Sequence, residues 1–108
     1  MVGARRFDVV LVELDPSRGS EIRKTRPCVV ITPDEMNEAL KTVIVAPMTT
    51  GGHAYPWRVP VHFGGRGGRV ALDQIRAVDR DRLLRRVGQL DGPTAGSVLG
   101  TLGEMFAP

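Results

Sequence analysis

The sequence predicts a mainly β domain, a small barrel-like sheet of five to seven short strands with one C-terminal helix and one or two short helical turns. Two observations carry this. Short runs rich in β-branched residues recur along the chain, each stopped by Pro or Gly. Only after Asp91 does the apolar spacing change to a helical one. The length of 108 residues, with 42% hydrophobic and 25% charged side chains, fits one domain over residues 1–108 with a modest core.

Phe7 to Leu14 is β-branched and reads as the first strand, stopped by Asp15-Pro16 and Gly19. Residues 27–32 read as the second. Pro33 to Leu40 has acids at its start, which suits one or two helical turns. Thr42 to Met48 is a third strand, apolar throughout and therefore buried on both faces. Thr49 to Pro56 is a loop. Trp57 to His62 alternates, and Pro60 marks it as an edge strand. Gly64 to Arg69 is a glycine-rich link. It looks like an RGG-type RNA-binding tract, yet at this length between two strands a plain hairpin turn is the simpler reading. Val70 to Ile75 reads as a fifth strand, Asp79 to Leu84 as a helical turn and Arg86 to Leu90 as a short sixth strand. Asp91-Gly92-Pro93 opens the final helix. Val98, Leu99, Leu102, Met105 and Phe106 fall on one face of it, a core spacing. Gly96, Gly100 and Gly103 each cost about 1 kcal/mol against Ala, so this helix needs tertiary or dimer packing.

The net charge is +3, and the cations are 13 Arg against 2 Lys. Arg grips phosphate through two parallel donors and stacks on bases, so the bias permits nucleic-acid binding. A GC-rich genome produces the same bias without function. The charge is uneven: residues 58–86 hold eight Arg against three Asp. The single Cys, Cys28, excludes an internal disulfide and fits a reducing compartment. Only two His are present, so no metal cluster is expected, and no cofactor. No apolar stretch approaches a membrane span, and Asp8 and Glu13 break the apolar run after Arg5-Arg6 that would mimic a secretory signal. The expected location is the cytoplasm.

The chemistry concentrates in residues 18–32. Four cations (Arg18, Arg23, Lys24, Arg26) face one acid, Glu21, in a glycine-containing loop that runs into the apolar strand from Pro27. A charged loop anchored on a buried strand can present Arg to a phosphate. Taken alone, a solvated hairpin connection with charges for solubility is the simpler reading. Signatures of other enzymes (GxSxG, the P-loop, HExxH, CxxC) are missing. Arg, hydroxyl and carboxylate remain, with two His, an inventory that suits phosphate chemistry without metal. RNA supplies its own nucleophile, the ribose 2′-hydroxyl, so an enzyme that cleaves RNA needs mainly to align it and stabilise the charge on the phosphorane.

Residues 13–33, with Val45-Ala46-Pro47-Met48-Thr49-Thr50, Tyr55-Pro56 and Leu72-Asp73-Gln74-Ile75-Arg76, resemble the signature of the MazF/PemK toxin family in the family's order. The resemblance implies a metal-independent, sequence-specific endoribonuclease of a toxin–antitoxin pair, folded as an SH3-like barrel and working as a homodimer. It puts the two principal catalytic positions at Arg26 and Thr49. Arg26 can fork onto two phosphate oxygens and Thr49 can donate to the phosphorane. Arg stays protonated, so Glu21, matching a position implicated in activity, is the candidate base or orienter. Its plainer role is an ion pair with Arg23 or Arg26. Asp73 matches an acid used in some members, and is otherwise a strand-end contact. Gln74 has a base or the loop within reach. Arg18, Ser20, Arg23, Lys24, Thr50, Asp73, Gln74 and Arg76 complete the expected RNA-binding set with two loop residues, His53 and Tyr55. Tyr55 and Trp57 offer stacking faces, though Trp57 also reads as core. The implied partners are single-stranded RNA, a cognate antitoxin and a second copy of the chain.

Many family members carry Gln where this chain has Ile22, and Gly where it has Lys24. Some place Arg at the position of Ala71 and His at that of Ser20. Those changes alter how the loop closes and remove any mechanism that uses the missing groups. Two other readings fit the same barrel: a CcdB-like module that inhibits a protein target without hydrolysis, and a plain RNA-binding SH3-like domain. The Arg26 and Thr49 pair favours the enzyme.

Overall fold

The computed structural model describes residues 3–108. Its elements are β1 (Asp8–Glu13), β2 (Thr25–Val30), α1 (Asp34–Ala39), β3 (Thr42–Thr49), β4 (Arg58–Phe63), β5 (Arg66–Ala71), β6 (Arg76–Asp79), β7 (Leu83–Gln89) and α2 (Gly92–Met105). Two 3-10 turns, Leu72–Gln74 and Arg80–Arg82, flank β6. All strand pairs are antiparallel, in the order β4-β5-β3-β2-β1-β7.

β3 organises the sheet. Its first half pairs with β6 and its end, Met48–Thr49, pairs with β5. The sheet therefore splits around β3 and curls into a half-barrel. Phe63 at the end of edge strand β4 reaches β7, where a Cβ on Gly88 would sit 2.6 Å from the ring. Only glycine lets the two ends of the sheet meet there.

Alternation along the strands builds two cores. Val9, Val29, Ala46, Val70 and Leu72 face α2, with Val98. Val10, Val12, Cys28, Val30, Val43 and Val45 face the other way, beneath Val78 and Leu83. Both faces of β1–β3 are buried, which is why these runs are so continuously apolar.

The strand boundaries differ from the sequence expectation in places. β2 starts at Thr25, so Arg26 lies within a strand rather than in the loop. The link before β5 shrinks to Gly64 and Gly65, both at positive φ (60° and 76°), which is a two-residue hairpin turn. β5 accordingly begins at Arg66. The expected strand through Ile75 ends at Ala71, because residues 72–74 form a turn that carries the chain over to β6. Trp57 is not core: it is 38% exposed. On α2, Ala95 and Val98 are buried, with Leu102 and Met105 packed beside them, while Leu99 (39%) and Phe106 (71%) are exposed. Leu99 lies on α2, and Phe106 is its C-cap residue. Asp91 caps the helix, accepting from the Thr94 N–H at 2.7 Å.

Candidate nucleic-acid interface

The β1–β2 loop, residues 14–24, is tied down by side chains distant in sequence. Arg76 Nη1 donates to the Leu14 carbonyl at 3.1 Å and to Ser17 Oγ at 3.4 Å. Arg82 Nη1 donates to the carbonyls of Glu13 (3.2 Å) and Asp15 (2.6 Å). Gln74 Oε1 accepts the Ile22 N–H at 3.3 Å. Glu21 turns back on its own loop and accepts the Arg18 N–H. Arg23 donates to the Gly19 carbonyl at 3.2 Å. Arg76 and Gln74 therefore hold the loop rather than project from it. Glu21 makes no ion pair with Arg23 or Arg26.

Arg26 and Thr49 come from β2 and the end of β3 and line one cleft of about 340 Å³. Lys24, Thr25, Thr50 and Arg66 complete its polar wall, and Pro27, Met48, Val61 and Phe63 its apolar floor. Three cations and no carboxylate line it, so its field favours an anion. Arg26 Nε donates to the Arg23 carbonyl at 2.8 Å, which fixes the guanidinium by one edge. The Thr49 hydroxyl donates to the Gly51 carbonyl at 3.2 Å. On the opposite wall, a Cβ on Gly68 would stand 2.3 Å from the Thr49 carbonyl oxygen, so β5 approaches Thr49 as closely as a backbone can.

Glu21, Asp73, Gln74 and Arg76 line a different depression, of about 280 Å³, with Ile22 and Pro47. The expected set is thus split. Lys24, Arg26, Thr49 and Thr50 share the cleft, whereas the candidate base Glu21 lies with the residues that shape the loop. Arg18 and Ser20 are on the loop surface with Arg23. His53, Tyr55 and Trp57 form a column beyond Thr50: the His53 and Tyr55 centroids are 5.0 Å apart at 41°, and those of Tyr55 and Trp57 5.0 Å apart at 8°.

Two residues escaped the sequence reading. Arg66 joins the cleft because the hairpin turn ends one residue before it, and the glycine-rich link hid that strand start. Arg58 donates from Nε to Asp73 Oδ1 at 3.0 Å and from Nη2 to Oδ2 at 2.9 Å. That fork keeps the Asp73 carboxyl below its ordinary range and raises the Arg58 guanidinium above its own. Burial pushes the Cys28 thiol up to about 12, against the opposing pull of Arg76 and Arg26. Among the described residues, no three His, Cys, Asp or Glu side chains gather as a metal site. No helix is long and apolar enough to cross a membrane.

Residues 5–106 match the family of PemK-like, MazF-like toxins of type II toxin–antitoxin systems. The chain belongs to the MazF/PemK toxin family. Among its relatives, the endoribonuclease PemK of Escherichia coli is 34% identical over 107 residues, covering 94% of this chain and 80% of that protein. The endoribonuclease MazF9 of Mycobacterium tuberculosis is 33% identical over 96 residues, covering 80% and 81%. The crystal structure of MazF from Deinococcus radiodurans superposes with a TM-score of 0.82 at 27% identity over 94% of both chains. A mycobacterial endoribonuclease in complex with its cognate antitoxin, 19% identical, shares the fold at a TM-score of 0.81 over 97% of each chain.

Lys24 has φ of 70°. Its backbone keeps the left-handed turn that glycine adopts freely, with a cation added at the mouth of the cleft.

Proposed function

We propose that this protein is the toxin of a type II toxin–antitoxin pair and cuts single-stranded RNA in the cleft between Arg26 and Thr49. One observation carries the reading: Arg26 and Thr49 line the same cleft, with Lys24 and Arg66 beside them and no carboxylate on its walls. A phosphodiester seated there meets the free Nη donors of Arg26, whose Nε edge is already fixed. Two donors at fixed geometry stabilise the extra charge of a phosphorane more than the ground state. Thr49 donates to the same group once its hydroxyl turns from Gly51. The 2′-oxygen bonds to phosphorus, the P–O5′ bond breaks, and the 5′-oxygen takes up a proton. The products carry 2′,3′-cyclic phosphate and 5′-hydroxyl ends. Neither a carboxylate nor an imidazole lines the cleft, so the 2′-hydroxyl proton passes to water. Glu21 serves as an orienter of the loop that carries Arg18, Ser20, Arg23 and Lys24 along the RNA.

The antitoxin is an acidic segment that competes with RNA for these cations in the cytoplasm. The working unit is a homodimer, supported by the exposed apolar side chains of Leu99 on α2 and Phe106 at its C-cap. The test is the purified protein on a long RNA with EDTA present. Cleavage with cyclic-phosphate ends is expected, abolished by deoxyribose on the 5′ side of the cut. Cutting of that deoxy substrate, or no cutting at all, overturns the proposal.

A further inference from the structure

The chain has one Trp and one Tyr, and neither is in the core. Tyr55 is 40% exposed and Trp57 38%, and they lie nearly parallel in a column that His53 extends. Exposed rings held in register present a flat face on which a further planar group can stack. The column is also pre-organised. The Tyr55 N–H donates to the His53 carbonyl and the Arg58 N–H to the Tyr55 carbonyl, each at 3.0 Å, and Leu72 donates to the Trp57 carbonyl at 3.2 Å. The Arg58 guanidinium lies 5.5 Å from the Tyr55 ring centroid while it forks onto Asp73. Its charge is thereby matched. The column begins three residues along the chain from Thr50, which lines the cleft, and offers ring faces where the cleft offers cations.

We infer that His53, Tyr55 and Trp57 form a stacking subsite for an unpaired nucleobase next to the cleft, with Arg58 as the positioning residue that holds the column. The inference rests on the reading of the cleft as an RNA site. The cleft takes phosphate and the column takes a base face, a division suited to single strands whose bases are free. A stacked base tolerates every base identity, so the subsite adds affinity without choosing a sequence.

Trp57 is the only tryptophan, so its emission reports the column directly. The probes are 2′-O-methyl decamers, which cannot be cut: one all-adenine, one all-uracil and one abasic with the same charge. Both base-bearing probes should alter Trp57 emission and bind about ten- to a hundredfold more tightly than the abasic one, as stacking energies imply. Tyr55→Leu and Trp57→Leu should bring that ratio close to one by fluorescence anisotropy and leave abasic binding intact, which also shows that the variants fold. Arg58→Ala should lower the ratio with the rings present, and Arg58→Lys should restore it only in part. Equal wild-type affinity for all three probes overturns the subsite, as does a ratio that survives Tyr55→Leu. A change in Trp57 emission with a protein partner but with no probe overturns it in favour of a protein-docking face. Wild-type cleavage of long RNA is scored separately. A protein that cuts but shows no base dependence loses the subsite and keeps the cleft. One that stacks bases but never cuts loses the cleavage reading and keeps the column.

Discussion

Arg58 at the start of β4 grips both carboxylate oxygens of Asp73 in the 3-10 turn after β5, at 3.0 and 2.9 Å. Both side chains are largely covered, at 16% and 29% exposure. The pair joins the base of the aromatic column to the depression where Gln74 holds the loop. It also holds Asp73 as an anion, so Asp73 is a strut and not a proton donor.

The first prediction concerns this strut. The folded pKa of Asp73 lies below its ordinary value, so its stabilisation is full above the unfolded pKa of about 3.9 and fades as pH falls through the lower folded value. Asp73→Asn should cost about 1 kcal/mol at neutral pH, a modest figure because the pair is partly solvated. It should also flatten the loss of stability on acidification below about pH 4. Urea unfolding of both proteins at pH 7 and pH 3 checks this. An equal deficit at both pH values contradicts it.

Arg26→Ala should reduce kcat about 100–1,000-fold with the circular dichroism spectrum unchanged. Arg26→Lys should recover little, because an ammonium supplies a point charge where two coplanar donors are needed. A single-turnover measurement separates this from binding. A fall in affinity with unchanged kcat would assign Arg26 to substrate holding.

Lys24→Gly should change stability and affinity in opposite directions. The substitution relieves a left-handed residue at φ 70°, a gain of up to about 1 kcal/mol. It also removes one of the three cations lining the cleft. RNA affinity should fall, and the log–log salt slope should shrink by about 0.7. Thermal melts and titrations at several salt concentrations read both effects. A less stable Lys24→Gly protein would contradict the backbone argument.

How much of this was legible in the sequence depends on which link carried it. Val43, Val45 and Ala46 announced a strand buried on both faces, and the structure buries them in two separate cores. The hairpin at Gly64-Gly65 was legible as a turn but not in length, because a glycine in a strand and one in a turn read alike. Leu99 and Phe106 fit the helical period, yet only the packing of α2 shows that the buried arc runs through Ala95 and Val98. Arg26 and Thr49 came from family resemblance, and the cleft sets them beside Arg66. Sequence shows the charge of Arg76 and the polarity of Gln74 but not their direction, which the structure gives as contacts to Leu14, Ser17 and Ile22 of the loop. The Arg58–Asp73 fork depended on where β5 ends, a boundary set by the turn at Leu72.

Cys28 should be unreactive toward thiol reagents in the folded protein. Its side chain is buried and its thiol is pushed up to about 12, so almost no thiolate exists at neutral pH. Labelling should therefore follow opening of β2, which carries Arg26, and should quicken with urea in step with unfolding. Fast labelling without denaturant would show that this strand opens on its own.

Gly68 offers a test of how finely Thr49 must be placed. Gly67 and Gly68 both line the cleft. At Gly67 a Cβ would meet only His62 Nδ1, at 4.0 Å, an ordinary contact. At Gly68 it would lie 2.3 Å from the Thr49 carbonyl oxygen, so either β5 or the end of β3 must move. Neither is the flexible end of a side chain. Thr49 is the last residue of β3 and pairs with Arg69, so the end of the strand is where the shift falls. A displacement near 1 Å at a catalytic group can lower a rate about 100-fold. Gly68→Ala should therefore lose cleavage by at least about tenfold, while Gly67→Ala stays close to wild type. Both variants should be melted as well as assayed. If Gly68→Ala keeps full activity, Thr49 tolerates the movement and its hydroxyl is not a donor to the phosphorane.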